Sequence, residues 1–169
     1  MALDHRRDGG VGFDAFEQGE VRAARQGIHI FSEKPQALRL DVAMAIDAAV
    51  QSSGVIATVG FRERYRPLVH RARELLARRA VTHVAFLQHT MPPAARNTWY
   101  RDVTLSGGPA LNWGGHALDQ IRFITAEEVS KAQAFWGSGD ISGFPPSQSL
   151  SFTLGSGAVA HPVDLEAEL

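Results

Sequence analysis

At 169 residues, with 44% hydrophobic and 21% charged residues, the chain has the composition of a globular protein with a sizeable core and not of a disordered segment. Its net charge of −1 carries no footprint for nucleic acid or an anionic membrane, and no apolar run reaches the roughly 18 residues of a membrane span. Cysteine is absent, which excludes disulfides, thiolate metal sites, iron–sulfur clusters and a cysteine nucleophile.

In chain order, MALDHRRDGG has no apolar core after its charges and does not read as a secretory signal, so a cytoplasmic protein is expected. Residues 1–14 read as a leader. A weakly amphipathic helix is predicted over 13–26, stopped by Gly27. Ile28 to Phe31 reads as a short buried strand, ending at Ser32-Glu33-Lys34-Pro35 because proline cannot continue a ladder. The spacing predicts a helix over 39–53 with Val42, Ile46, Ala49 and Val50 on one stripe. Val55 to Phe61 is predicted as a second buried strand. Pro67 opens a helix with Leu68, Ala72, Leu75 and Leu76 at helical spacing. Val81 to Leu87 is a third strand, and 89–108 a long polar connection of the kind that often carries function. A helix over 109–124 follows, then strands near 129–135, 148–154 and 158–165, with Gly155-Ser156-Gly157 as a hairpin turn. The order suits parallel βαβ units in the first half and an antiparallel sheet with one helix lying on it in the second.

Three features can carry chemistry. At 100° per residue, Asn112, His116 and Asp119 fall within about 60° of arc on the 109–124 helix. Trp113, Ala117, Ile121 and Ile124 occupy one apolar flank, with Leu111 and Leu118 on another. A polar stripe on an apolar helix is either a satisfied structural network or a site in which the imidazole faces a ligand, since buried polar groups need partners. Gly114 and Gly115 each lower helix propensity by about 1 kcal/mol relative to alanine, which points to a close approach by backbone or ligand. Second, Glu33-Lys34-Pro35 stands at a strand's carboxyl end, where open α/β sheets bind ligands. The chain has 15 arginines and only two lysines, Lys34 and Lys131, so a lysine in that place stands out. It is otherwise a surface lysine in a turn. Third, Arg62, Arg64 and Arg66 follow the next strand and either clamp an anion or form a solvated loop paired with Glu63. Gly10-Val11-Gly12-Phe13-Asp14-Ala15 fits G-x-G-x-x-A, but Leu3 to Asp8 before it is no strand, so it does not read as a phosphate loop. The histidines show no metal-ligand spacing, no G-x-S-x-G elbow is present, and no metal is expected. His29, within an apolar strand, reads as structural.

Gly27-Ile28-His29-Ile30-Phe31-Ser32-Glu33-Lys34-Pro35 resembles the G-x-H-V-x-x-E-K-P signature of the Gfo/Idh/MocA oxidoreductases, the family of glucose–fructose oxidoreductase and inositol dehydrogenase. Val59-Gly60-Phe61 with Arg64 and Pro67 is similar to that family's V-G-F-x-x-R-F-x-P segment. Ser106-Gly107-Gly108, followed by Asn112, Gly114, His116 and Asp119, is similar to its S-G-G-G…D-x-G-x-H-x-x-D helix. The resemblance spans roughly residues 15–160. It implies an α/β (α+β) fold, the remnant of a Rossmann-type parallel sheet over 15–65 joined over 66–169 to a partial antiparallel open sheet with a buried helix. It implies a substrate of sugar or polyol type and NAD or NADP as cofactor, with no phosphate-binding loop in this chain. Lys34, His116, Asn112 and Asp119 take the catalytic places, and Glu33, Lys34, Pro35 and Arg64 those near the cofactor. Trp99 and Arg101 fall in the variable substrate loop. Asn112 stands where many members carry Asp; an amide orients the His116 ring but adds no charge to raise its pKa.

By the same resemblance the family's opening strand, glycine loop and ribose-binding acid would precede residue 15. The strands near 28–31 and 55–61 are then expected to have open edges and apolar faces, covered by the leader, a complementing chain or a second copy in a homo-oligomer. The expected function is an oxidoreductase of the NAD(P)-dependent sugar and polyol dehydrogenase type, incomplete or in need of a partner for hydride transfer. The alternatives are a cofactor-independent isomerase, lyase or cyclase reusing the Lys34/His116/Asp119 pocket, and a non-catalytic interaction protein.

Overall fold

The structure, a computed structural model, describes residues 14–90, 103–136 and 147–166. The fold is mixed α/β, and the chain divides into two units: residues 1–31 with 37–58, and residues 32–36 with 59–169. The strand-end segment carrying Lys34 therefore folds with the second unit.

In the first unit, α1 (Asp14–Arg25) and α2 (Leu40–Ser53) pack together, with Ala24, Ala49 and Ile30 buried between them and Val21, Val50 and Val55 alongside. The α2 stripe is the one its spacing predicts, with Val42, Ile46 and Ala49 buried. Its stop is Gly54, at φ +63°, in the left-handed conformation that glycine enters without penalty. The short strands β1 (Ile30–Ser32) and β2 (Ala57–Val59) form a two-stranded sheet. Ile30 N–H donates to the Ile56 carbonyl and Gly60 N–H to that of Ser32, a parallel pattern. His29 is structural, its Nδ1 accepting from Ile56 N–H at 3.0 Å. The expectation of two buried strands is corrected here. Ile30 turns into the helix core, but Phe31 is 70% and Ile56 69% exposed. A strand alternates its faces, and only one face of this pair is covered by α1 and α2.

In the second unit a 3₁₀ turn, Arg62–Tyr65, leads into α3 (Pro67–Leu76). Val69 is its buried residue, with Ala72 and Leu76 of the predicted stripe half-buried in line with it, while Leu68 and Leu75 are exposed. Strand β3 (His83–Thr90) is followed, beyond the described gap, by the short helices α4 (Val103–Ser106) and α5 (Gly108–Asn112) and the longer α6 (Gly114–Thr125). Strands β4 (Val129–Trp136), β5 (Ser147–Leu154) and β6 (Val159–Glu166) complete a sheet of order β3-β6-β5-β4. The β4–β5 and β5–β6 pairs are antiparallel as expected, while β3 adds parallel to β6, which makes the sheet mixed. A parallel neighbour needs a crossover, and everything from α4 to β5 lies inside it.

The alternation Leu150, Phe152, Leu154 delivers one face of β5 to the core. There Phe152 and Leu154 join Ile121 of α6 with Ala158 and Ala160, and Val84, Phe86 and Leu118 pack at the margin. The hairpin turn closes through Leu154 N–H to the Ala158 carbonyl, with Gly157 at φ +92° where a side chain would be strained. Leu154 is 1% exposed. Replacing it with alanine is expected to cost about 2–4 kcal/mol, read as a lowered urea midpoint at unchanged slope. An unchanged midpoint would place the core elsewhere.

Candidate functional site

The site is built on the polar stripe and on what the strand ends bring to it. The predicted helix over 109–124 breaks at Trp113, so Asn112 closes α5 and His116 and Asp119 sit on α6. His116 N–H and Ala117 N–H both bond the Trp113 carbonyl, which carries the chain from one helix into the next. Before that junction, Gly107 and Gly108 adopt φ of +72° and +68°, and Gly108 N–H donates to the buried Ser106 hydroxyl at 3.1 Å. The Ser-Gly-Gly run is thus a backbone requirement of the turn that aims α5. Of the helix glycines, Gly114 has a close neighbour: a Cβ there would lie 3.0 Å from Leu150 Cδ1. Gly115 faces open space.

All three stripe residues are buried: Asn112, His116 and Asp119 at 8%, 9% and 3% exposure. Lys34, half-buried, donates from Nζ to the Asn112 carbonyl at 3.0 Å and also to Asn112 Oδ1. Its Nζ lies 5.5 Å from the Trp113 ring centre, and the His116 ring stands 6.1 Å from the same indole and edge-on, at 6.1 Å, to Phe61. Arg64 grips Asp119: Nε donates to both carboxylate oxygens at 2.9 Å and Nη2 to Oδ1 at 2.5 Å. The guanidinium is stacked between Phe61 and Phe123, at 6.0 and 5.3 Å. Glu63 accepts from Arg62 at 3.2 Å and from Arg66 at 2.6 Å.

Two polar members of the stripe thus have cationic partners from the ends of β1 and β2. The third has none: His116 Nδ1 is buried without a hydrogen-bond partner among the described residues, as is Ser32 Oγ. A buried unpaired nitrogen costs about 1–3 kcal/mol and marks where a ligand or water bonds. Burial, then the positive charges of Lys34 and Arg62, push the His116 pKa below its ordinary value, against the opposing pull of Glu63 and Asp119. Burial also lowers the Lys34 pKa; Glu33 opposes that shift and Arg62 adds to it. The hydrogen bonds to Asp119 raise that of Arg64.

The fold therefore gathers Lys34, Asn112 and His116, and pairs Arg64 with Asp119. Glu33 is exposed and Pro35 partly buried beside Lys34. Trp99 and Arg101 lie outside the described residues, as does the Gly10–Gly12 run. Sequence reading missed Trp113 and Phe61 as the aromatic walls of His116, and the partner of Asp119. The one available signal was a carboxylate on an otherwise apolar helix, which needs a cation. Among the described residues no group of three or more His, Asp or Glu is placed to hold a metal, and no helix is long and apolar enough to cross a membrane.

The ion pair has an asymmetric cost. Arg64→Met leaves a carboxylate that is 3% exposed without a partner and is expected to destabilise by about 3 kcal/mol. Asp119→Asn leaves a guanidinium that is 39% exposed and rehydrates, costing about 1 kcal/mol. Urea unfolding of the two variants checks this; equal losses would contradict the buried-carboxylate account.

Residues 69–162 match the GFO/IDH/MocA C-terminal domain. The chain is 32% identical over 113 residues to the "Uncharacterized oxidoreductase YrbE" of Bacillus subtilis (strain 168), covering 66% of this chain and 33% of that protein. It is 27% identical over 114 residues to the scyllo-inositol 2-dehydrogenase (NAD(+)) of the same organism, covering 65% and 32%. The crystal structure of aldose-aldose oxidoreductase from Caulobacter crescentus, complexed with glycerol, is similar at a TM-score of 0.77 and 25% identity, over 88% of this chain and 46% of that one. The chain spans about a third of the length of these curated relatives. On the matched domain and on the placement of its motif residues, this chain belongs to the GFO/IDH/MocA family.

Proposed function

We propose that the chain carries the substrate-handling half of an NAD(P)-dependent dehydrogenase acting on a secondary alcohol of a sugar or polyol. The observation that carries this reading is a buried imidazole with an unpartnered nitrogen, packed with a half-buried ammonium against the same indole ring. Scyllo-inositol and aldoses, named for two relatives, are substrates of that class.

The described residues fit the reacting end of such a reaction. His116, its pKa lowered, is an uncharged imidazole at neutral pH and accepts the hydroxyl proton. Lys34 donates a hydrogen bond to the same substrate oxygen as charge develops on it. Asn112 holds the ammonium, and Arg64 acts through Asp119 to fix α6. A nicotinamide, when bound, would supply the hydride acceptor, and Glu33, Lys34 and Pro35 are the residues that would meet its ring. Among the described residues no G-x-G-x-x-G loop joins a strand to a helix.

His116→Ala and Lys34→Ala are each expected to lower the turnover of scyllo-inositol or D-glucose with NAD+ or NADP+ by about 10²–10⁴-fold, with the circular dichroism spectrum retained. Turnover that survives both changes would contradict the assignment, and their loss of a nicotinamide-independent isomerisation would favour the cofactor-free alternative. The pH profile follows from the shift directions. Protonating His116 removes the base, so the acidic limb lies below 6.5; deprotonating Lys34 removes the donor, so the alkaline limb lies below 10.5. The stability sign is the same for His116. The unfolded chain binds that proton more readily than the folded one, so folding stability falls as pH drops through 6.5 toward the lowered folded value.

A further inference from the structure

Away from Lys34 and His116, two further imidazoles stand side by side. His83 opens β3, and His161 lies in β6, the strand to which β3 is joined in parallel. The register pairs Ala85 with His161 and His83 with Val159, so the two histidines are diagonal neighbours. Strand alternation puts them on one face. Ala160 of β6 is buried in the core, and Val84 and Phe86 of β3 pack at its margin. His161 and His83 therefore share the opposite face of the sheet, which α6 does not cover. His83 is exposed and His161 half-buried.

The ring centres are 5.4 Å apart, with the planes inclined at 41°. No hydrogen bond joins the rings, and neither has a hydrogen-bond or ion-pair partner among the described residues. A zinc-class ion bonds an imidazole nitrogen at about 2.0–2.1 Å, which sets each ring centre roughly 3.2 Å from the ion, and two rings at a tetrahedral angle then stand about 5.2 Å apart. The observed separation is that of two imidazoles sharing one ion. Imidazole suits zinc, copper and nickel, and does not suit the oxygen-seeking magnesium and calcium. Lys131 is in the same row of the face, through Thr153 and Val159 to His83. It stands three strands away, about 14 Å at the usual strand spacing, where salt screens most of its repulsion of a bound cation. Sequence spacing does not report the pair, because its members meet only through the crossover that sets β3 beside β6.

We propose that His83 and His161 form a binding site for one divalent transition-metal ion of the zinc, copper and nickel class, with water completing its coordination. The ion ties the side chains of β3 to those of β6. In the sheet order β3 is an edge strand whose neighbour is β6, so occupancy pins that edge to the sheet.

Calorimetric titration of Zn2+ into tag-free protein at neutral pH tests this, for wild type, His83→Gln, His161→Gln and, as a control, His70→Gln. Wild type is expected to bind one Zn2+ per chain, with affinity lowered at least about tenfold in either strand variant and unchanged in His70→Gln. Zn2+ is expected to raise the thermal midpoint of wild type and not that of the doubly substituted protein. Circular dichroism in EDTA checks that the variants fold. Should one fail to, Cu2+ broadening of the histidine ring resonances of wild type decides the question, with His83 and His161 expected to broaden before His70. Zn2+ affinity that survives both substitutions, Mg2+ bound as tightly as Zn2+, or Cu2+ that leaves both rings sharp would overturn the proposal. One ion per two chains would do so too, by assigning the metal to a contact between copies.

Discussion

A buried polar stripe on an apolar helix must be satisfied, and the second unit is arranged around that requirement. Asn112 is met by the Lys34 ammonium from 78 residues away, and Asp119 by the Arg64 guanidinium from 55 residues away. Each cation arrives on the turn that ends a short parallel strand, so the two strand ends and the two helices are held in one arrangement. The Asp119 contact is a charge-assisted fork stacked between two phenyl rings, and it immobilises α6 against the turn that carries Phe61. With its two neighbours satisfied, His116 is the stripe residue whose buried nitrogen has no hydrogen-bond partner among the described residues. The proposed chemistry is assigned to that unpaired member of the stripe.

The neutral residue at position 112 shapes the electrostatics. A carboxylate there would pull both the lysine and the imidazole toward their charged forms. With an amide, burial dominates at both groups, and the ammonium and Arg62 add to it at His116. The result is an imidazole that stays uncharged at neutral pH, suited to accepting a proton.

Much of this was legible in the residues. The α2 stripe, the Gly27 and Gly54 stops, the proline start of α3 and the hairpin at Gly155–Gly157 are local signals with local causes. The helix stripe was visible by angle, although the break at Trp113 was not: nothing in its composition separates a tryptophan at a junction from one on an apolar flank. Burial of the first strands was misjudged because an apolar run reads the same whether or not a neighbour covers its second face. The parallel pairing of β3 with β6 and the Arg64–Asp119 contact depend on residues far apart in the chain, which periodicity does not report. The ordering among Arg62, Arg64 and Arg66 likewise emerges only when Asp119 and Glu63 have been placed.

The central claim is that Lys34 and His116 work in one electrostatic environment. Titration of the His116 imidazole by NMR, in wild type and in Lys34→Met, tests it directly. Removing the ammonium is expected to raise the His116 pKa toward its ordinary value, since one of the positive charges holding it down is gone. An imidazole that titrates identically in the two proteins would separate the lysine from the histidine and contradict the shared site.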